Sequence, residues 1–270
     1  MSQIPLRPLS VGEVLDVAFG IYRRHLATLI TIAVVLTGLP LLVFGAGTAV
    51  LVPSMMRSIP TMALLILIFV VVYLVLAQLS MGASVLVIAE GYLGRTLEAG
   101  DAMRRTMPKL GLLVTTGLLV GLVVGLGMIV GAILLFVPGI ILLCGLILTT
   151  QVVMLEAPAG ATGAMGRAWN LSRGSRWKIF LLFVVAVVLS IVVILGTDVV
   201  LGLVLGFPFG TTAPGATPSL GPLLVRQGIQ MVMNILVAPL PYCFLTVAYY
   251  DARVRKDGFD LELLAASLPT

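Results

Sequence analysis

The chain has 270 residues, 60% hydrophobic and 10% charged, with a mean hydropathy of +1.20. Soluble domains carry about 25% charged residues, so a single water-soluble core is excluded. The net charge of +5 and the pI of 9.6 come from residues flanking apolar runs, which points to anionic lipid headgroups and away from nucleic acid.

The first predicted element, Val11–Arg24, is amphipathic and opens with Ser10-Val-Gly-Glu13, a capping-box pattern. Leu15, Ala18, Phe19 and Tyr22 share a helical face, as in a helix lying in the headgroup plane. Glu13 and Asp16 are expected to hold this helix against the basic loops. Arg23-Arg24-His25 before an apolar run, with Phe44–Ala49 beyond it, has the look of a twin-arginine signal with a cleavage site. Five further apolar runs follow, so a retained first helix is expected.

A bilayer core takes about 20 apolar residues per helix. Six spans are expected, at Leu26–Leu51, Met62–Ala89, Leu110–Phe136, Gly139–Leu155, Ile179–Leu205 and Leu223–Tyr249. Val137-Pro138-Gly139 predicts a tight turn that makes an antiparallel hairpin of the third and fourth. Phe207–Pro222 is rich in Gly, Pro and Thr, carries no charge, and reads as a loop. Pro239 and Pro241 predict a kink in the last span. The tail Asp251–Leu264 alternates charged and apolar residues and is expected to dock on this chain's own face or on a partner.

A weak repeat runs through the chain. Val11–Arg24, Leu97–Lys109 and Ala164–Lys178 are short amphipathic stretches rich in basic residues, each before an odd-numbered span. The fold class is therefore all-α: a polytopic membrane protein with three transmembrane hairpins, each preceded by an interfacial helix. The organisation is one integral membrane domain, with the N-terminal helix in residues 1–25, the bundle in 26–250 and the tail in 251–270.

Fourteen of the sixteen Lys and Arg residues fall in segments that share one side when the span count is even. These are Arg7, Arg23, Arg24; Arg95, Arg104, Arg105, Lys109; Arg167, Arg173, Arg176, Lys178; and Arg253, Arg255, Lys256. Arg57 and Arg226 belong to the other side. The bias predicts a bacterial inner-membrane protein with both termini in the cytoplasm. Trp169 and Trp177 flank a basic loop, as interfacial anchors do.

Catalytic chemistry finds little support. His25 is the one histidine, so a histidine pair or a His-rich metal site is impossible. No GxSxG, HExxH or Walker A pattern occurs. Cys144 and Cys243 sit in apolar stretches without a CxxC spacing and read as small buried hydrophobes. Asp198 is the candidate intramembrane polar site, read either as functional or as a local cap. No carboxylate falls near a span's midplane, where a proton- or sodium-coupled carrier would need one. Gly117, Gly121 and Gly125, then Gly127 and Gly131, and Gly202 with Gly206, give small faces suited to close helix packing.

Leu6-Arg-Pro-Leu-Ser-Val-Gly-Glu-Val-Leu-Asp16 with Tyr22-Arg-Arg24, the Pro138-Gly-Ile140 turn, Ala168-Trp-Asn-Leu-Ser-Arg-Gly174 with Trp177, and Tyr249-Tyr-Asp-Ala-Arg-Val-Arg-Lys-Asp-Gly-Phe-Asp-Leu-Glu262 resemble the glycerophosphoryl diester phosphodiesterase membrane-domain family, in its actinobacterial form. The resemblance spans nearly the whole chain and is most specific at the two ends, where Asp251 and Arg253 belong to the motif. It implies a six-span module that elsewhere is fused to a soluble phosphodiesterase domain. The histidine pair and metal-binding carboxylates of that domain have no counterpart here, so the resemblance transfers no catalytic residue.

The expected function is a non-enzymatic membrane module that organises partners or anionic lipids at the cytoplasmic leaflet. Arg23, Arg24, Arg104, Arg105, Arg173 and Arg176 are its expected headgroup or partner contacts. Membrane lipids and a membrane or cytoplasmic protein are the implied partners, with no cofactor, metal or nucleic acid. The alternative is a transporter or flippase of an amphipathic or lipid-derived solute.

Overall fold

The computed structural model describes residues 8–44, 59–132, 135–205 and 220–258. Among them every regular element is helical. A short helix α1 (Val11–Arg24) leads into α2 (Leu26–Phe44) and α3 (Ile59–Tyr92). A second short helix, α4 (Ala99–Thr106), leads through a 3-10 turn into α5 (Leu110–Gly131), then α6 (Val137–Leu146) and α7 (Thr149–Leu155). The third short helix, α8 (Gly160–Ser172), leads into α9 (Arg176–Leu205), α10 (Leu220–Val237) and α11 (Pro239–Asp257). Six helical segments are long and apolar enough to cross a bilayer. The chain is a multi-pass helical membrane protein, built three times on the pattern of short helix and hairpin.

The short helices turn their apolar faces toward protein. Ser10 and Glu13 complete the capping box reciprocally, at 3.3 and 2.7 Å, which fixes where α1 begins. The face of α1 buried most deeply is Val14, Ala18 and Ile21, shifted from the Leu15–Tyr22 face expected to lie among headgroups. It packs chiefly against α11, with Phe19 edge-on to Phe244 at 5.3 Å. Ala164, Ala168 and Leu171 bury α8 in the same way.

Several boundaries differ from those expected. The third-to-fourth turn falls on Leu135 and Phe136, whose φ values of 52° and 62° are left-handed, while Val137 and Pro138 open the next helix. Proline suits a first helical turn because its missing N–H would be unpaired there anyway. Gly139 is thereby freed from the turn: a Cβ on it would meet Met128 Sδ at 2.3 Å, so it lets α6 press against α5. Gly127 and Gly131 serve the same contact, whereas Gly121 and Gly125 face open space, so the expected glycine ladder divides. The fourth span breaks between α6 and α7. The sixth breaks at Ala238, where the two prolines place it. Helix α11 continues past Tyr249 to Asp257 and ends at Gly258, whose φ is 65°. Asp251 thus belongs to the core and is 2% exposed, instead of opening a surface tail. Phe259–Leu264 and residues 207–219 of the expected loop, with Gly206 of the glycine pattern, lie outside the described residues, as do Arg7 and Arg57, whereas Leu220 to Pro222 already belong to α10 and not to a loop.

The fully buried side chains gather toward the end of the bundle where the basic segments lie, among α1, the end of α3, α7, α8 and α11. At the opposite end Leu203 is 80% and Leu135 84% exposed. Leu118, Leu122, Leu126 and Ile129 form an outward stripe on α5, spaced as one helical face should be. Lipid tails solvate such a stripe at no cost.

Candidate functional site

Two features stand apart from simple helix packing: an ion-paired layer at the basic end and a cavity between helices. The layer starts at Leu9. Its N–H donates to Asp251 Oδ1 at 2.7 Å, and its carbonyl accepts from Lys178 Nζ at 2.7 Å and from Arg255 at 2.9 Å. Asp251 Oδ2 accepts in turn from Lys178 at 2.6 Å and Arg255 at 3.1 Å. One buried carboxylate and two cations therefore clasp the peptide unit just before α1 to α9 and α11. A carboxylate this deep is tolerable only with such partners.

A second knot closes the other side. Arg167 of α8 donates to Glu156 at 2.8 Å and to Asp257 at 2.5 Å, and Arg253 reaches Asp257 at 3.3 Å. Tyr249 donates its hydroxyl to Glu156 at 2.8 Å. The hydrogen bonds to Asp257 and Glu156 raise the Arg167 pKa. Lys109 donates to the carbonyls of Val153 and Met154 at 3.1 and 2.8 Å, capping the end of α7. A basic side chain suits the unpaired carbonyls of a helix C-terminus. Lys256 donates to the Asn170 carbonyl.

The six arginines expected to meet headgroups separate into three groups. Arg23, Arg24 and Arg173 are exposed and form no ion pair among the described residues. Arg104 and Arg105 are also exposed, but Arg104 pairs with Asp101 at 2.5 Å and Arg105 lies 3.7 Å from Glu90. Arg176 is turned inward, its guanidinium 3.8 Å over the Trp169 ring and its Nε buried without a partner. Trp169 itself packs on Gly145, where a Cβ would meet the ring at 2.2 Å. Trp177 is 76% exposed, the disposition of an interfacial anchor. Glu13 serves the α1 cap, and Asp16 is exposed with no ion pair among the described residues, so it does not tether α1.

Asp198 is brought to Arg226, with oxygen–nitrogen distances of 2.7 and 3.1 Å. The pair joins α9 to α10, toward the end opposite the Leu9 clasp.

The cavity has a volume of about 810 Å³ and lies between α2, α3, α10 and the start of α11. From α3 it takes Tyr73, Ala77, Ser80 and Ser84, and from α10 Gln227, Gln230 and Asn234, each set on one helical face. Its α2 wall includes a π-turn, Val34–Gly38, two residues before Pro40. Proline cannot donate to the carbonyl four residues back, and π-turns often occur at functional sites. Gly38 lets α2 approach α10, since a Cβ there would meet Ile235 Cδ1 at 2.9 Å. Toward the basic end, Tyr22 donates to the Leu236 carbonyl at 2.6 Å, beside the break in the sixth span.

Gln227, Gln230 and Asn234 escape a reading that looks for carboxylates at the midplane. The available signal was amides at positions i, i+3 and i+7 of an apolar span. Among the described residues no cluster of His, Cys, Asp and Glu could hold a metal ion. Comparison with known proteins finds no matching family model, no matching curated protein and no matching solved structure.

Proposed function

We propose that the chain is a non-enzymatic module of the bacterial inner membrane, with its basic end and both termini in the cytoplasm, that engages anionic lipid headgroups. The observation that carries this reading is the division among the arginines. The clasp and the Arg167 knot consume their charges internally, while Arg23, Arg24 and Arg173 remain exposed at the starts of spans one and five. Each such residue near an anionic surface contributes about 1 kcal/mol of attraction. Arg104 and Arg105 add to it more weakly because acidic neighbours compete. Arg176 is a packing residue in this reading. Kinship with the glycerophosphoryl diester phosphodiesterase membrane-domain family forms part of the proposal. It is supported by the way the two terminal motifs meet, Leu9 against Asp251 and Arg255.

The test is a lipid titration of purified protein in detergent, comparing phosphatidylglycerol with phosphatidylcholine by thermal shift. Replacing Arg23, Arg24 and Arg173 together by Gln should remove the preferential stabilisation by phosphatidylglycerol. An unchanged preference would overturn the reading. A reporter fused after Thr270 should be cytoplasmic, and a periplasmic signal would reverse the orientation.

A second reading, movement of an amphipathic solute across the membrane, is favoured by the break at Ala238 on the wall of the cavity. Broken helices line many transport sites. Scrambling or uptake in proteoliposomes that falls when Pro239 and Pro241 are replaced by Leu would support it.

A further inference from the structure

We propose that the cavity between α2, α3 and α10 is a binding site for one neutral-headed lipid, whose uncharged head carries both hydroxyl and carbonyl or ether oxygens. The inference is independent of whether the exposed arginines engage anionic lipid.

Four observations carry it. Among the described residues no charged side chain lines the cavity. An ionised head would therefore enter a low-dielectric space without a counterion, which is strongly unfavourable. Arg226, beside Gln227 in sequence, does not supply one because Asp198 already holds it at 2.7 Å.

The lining nevertheless needs polar partners. Gln230 Nε2 is buried and has no acceptor, and an unpaired amide is unfavourable in hydrocarbon. A ligand oxygen would satisfy it once the side chain turns into the cavity. Asn234 spends an amide hydrogen on the Gln230 carbonyl, leaving its side-chain oxygen to accept from a ligand hydroxyl. Thr37 is similarly committed as a donor, to Ala33 O at 2.5 Å, and retains accepting capacity. Donors and acceptors thus alternate around the site, which fits a head that both gives and takes hydrogen bonds.

The remaining wall is aliphatic. Leu41, Leu42, Met231 and Ile235 present apolar surface that suits a hydrocarbon chain. The volume of about 810 Å³ lies within the roughly 300–1,000 Å³ of small-molecule sites. Finally, the π-turn in α2 is a backbone irregularity on one side of the site, and on another side Pro239 interrupts the hydrogen-bonded ladder although Ala238 keeps helical dihedrals. Irregular backbone at membrane depth is tolerated where it lines a cavity or is buried in protein.

The experiment uses the full chain in nanodiscs with a diazirine-bearing monoacylglycerol as probe, followed by mass-spectrometric mapping of adducts. Adducts should concentrate on α2, α3 and α10, and unlabelled monooleoylglycerol should compete. Oleate, oleylamine and lysophosphatidylglycerol should compete at least tenfold less well. Gln230→Leu should weaken labelling about tenfold, and Ala77→Phe, which fills the space from the α3 side, should abolish it. Adducts distributed over the lipid-facing surfaces would overturn the proposal, and so would equal competition by the charged lipids. Mapping on the unmodified protein keeps the test decisive if either variant fails to fold.

Discussion

The two ends of this bundle are held together by different means. At the basic end, Val85, Val87, Ile88, Val152 and Val153 are fully buried, and the Leu9 clasp and the Arg167 knot join the N-terminal segment, α7, α8, α9 and α11. At the opposite end one ion pair among the described residues, Asp198–Arg226, stands among helices whose Leu203, Val204 and Ile129 are at least 71% exposed. Apolar burial does not drive association in a bilayer, so small-residue packing and polar contacts must do so. The polar contacts are concentrated at the basic end, whereas small-residue packing occurs at both, at Gly145 and, beside the Leu135 turn, at Gly127, Gly131 and Gly139. The other end is left open enough to hold a cavity, and whatever enters that cavity meets helices with fewer cross-links to break.

The contrast is broken most directly at Asp251. Replacing it by Ala strips Lys178 and Arg255 of their carboxylate and leaves the Leu9 N–H without an acceptor. Loss of one member of a buried ion pair costs about 3–5 kcal/mol. A thermal melt in detergent should show the largest drop of any single variant here, with Asp251→Asn between it and the parent. A drop no greater than that of a far-end variant would mean that the two ends contribute equally.

Glycine substitutions sharpen the comparison at the next level. Gly145→Ala places a methyl group 2.2 Å from the Trp169 ring. Overpacking of this kind costs about 1–3 kcal/mol, and displacing Trp169 would also unseat Arg176. Gly121→Ala and Gly125→Ala meet nothing within 4 Å and should leave the melting temperature unchanged or slightly higher, alanine being the better helix former. A smaller effect is expected for Asp198→Asn, about 1 kcal/mol or less because the pair is about a third exposed. A double-mutant cycle with Arg226→Gln measures that coupling.

What the sequence makes legible follows this division. Span number, the three short helices and the break near Pro239 depend on local patterns, namely apolar run length, basic flanks and a missing N–H, and all can be read along the chain. The distant partners of Asp251 cannot, since Leu9 lies 242 and Lys178 lies 73 residues away. Its neighbouring basic residues suggest surface charge until the fold brings it under α1. The glycine spacing was visible as well, yet Gly117 faces Gln78 while Gly121 and Gly125 face outward, because which stripe meets a neighbour is set by helix rotation. The cavity was obscured for another reason. Amides, serines and a Gly38-Leu39-Pro40 step each look incidental alone, and only the approach of α2, α3 and α10 makes one lining of them.

The smallest expected effect is a pH dependence confined to the basic end, since the chain has a single histidine. His25 sits where α1 turns into α2, is 6% exposed, and faces Gly91, where an added Cβ would lie 2.7 Å from Nε2. Burial, reinforced by the Arg24 charge, lowers its pKa below the ordinary 6.5. The folded protein therefore binds this proton less readily than the unfolded chain. Its contribution to stability is present in full above pH 6.5 and is lost as the pH falls from there through the lower folded value. Melting temperatures taken between pH 7.5 and 5.5 should decline on the acid side, and His25→Gln should flatten the part of that decline due to this group. An unaltered slope in the variant would show that the imidazole binds its proton equally well in the folded and unfolded chain, so that burial does not shift it.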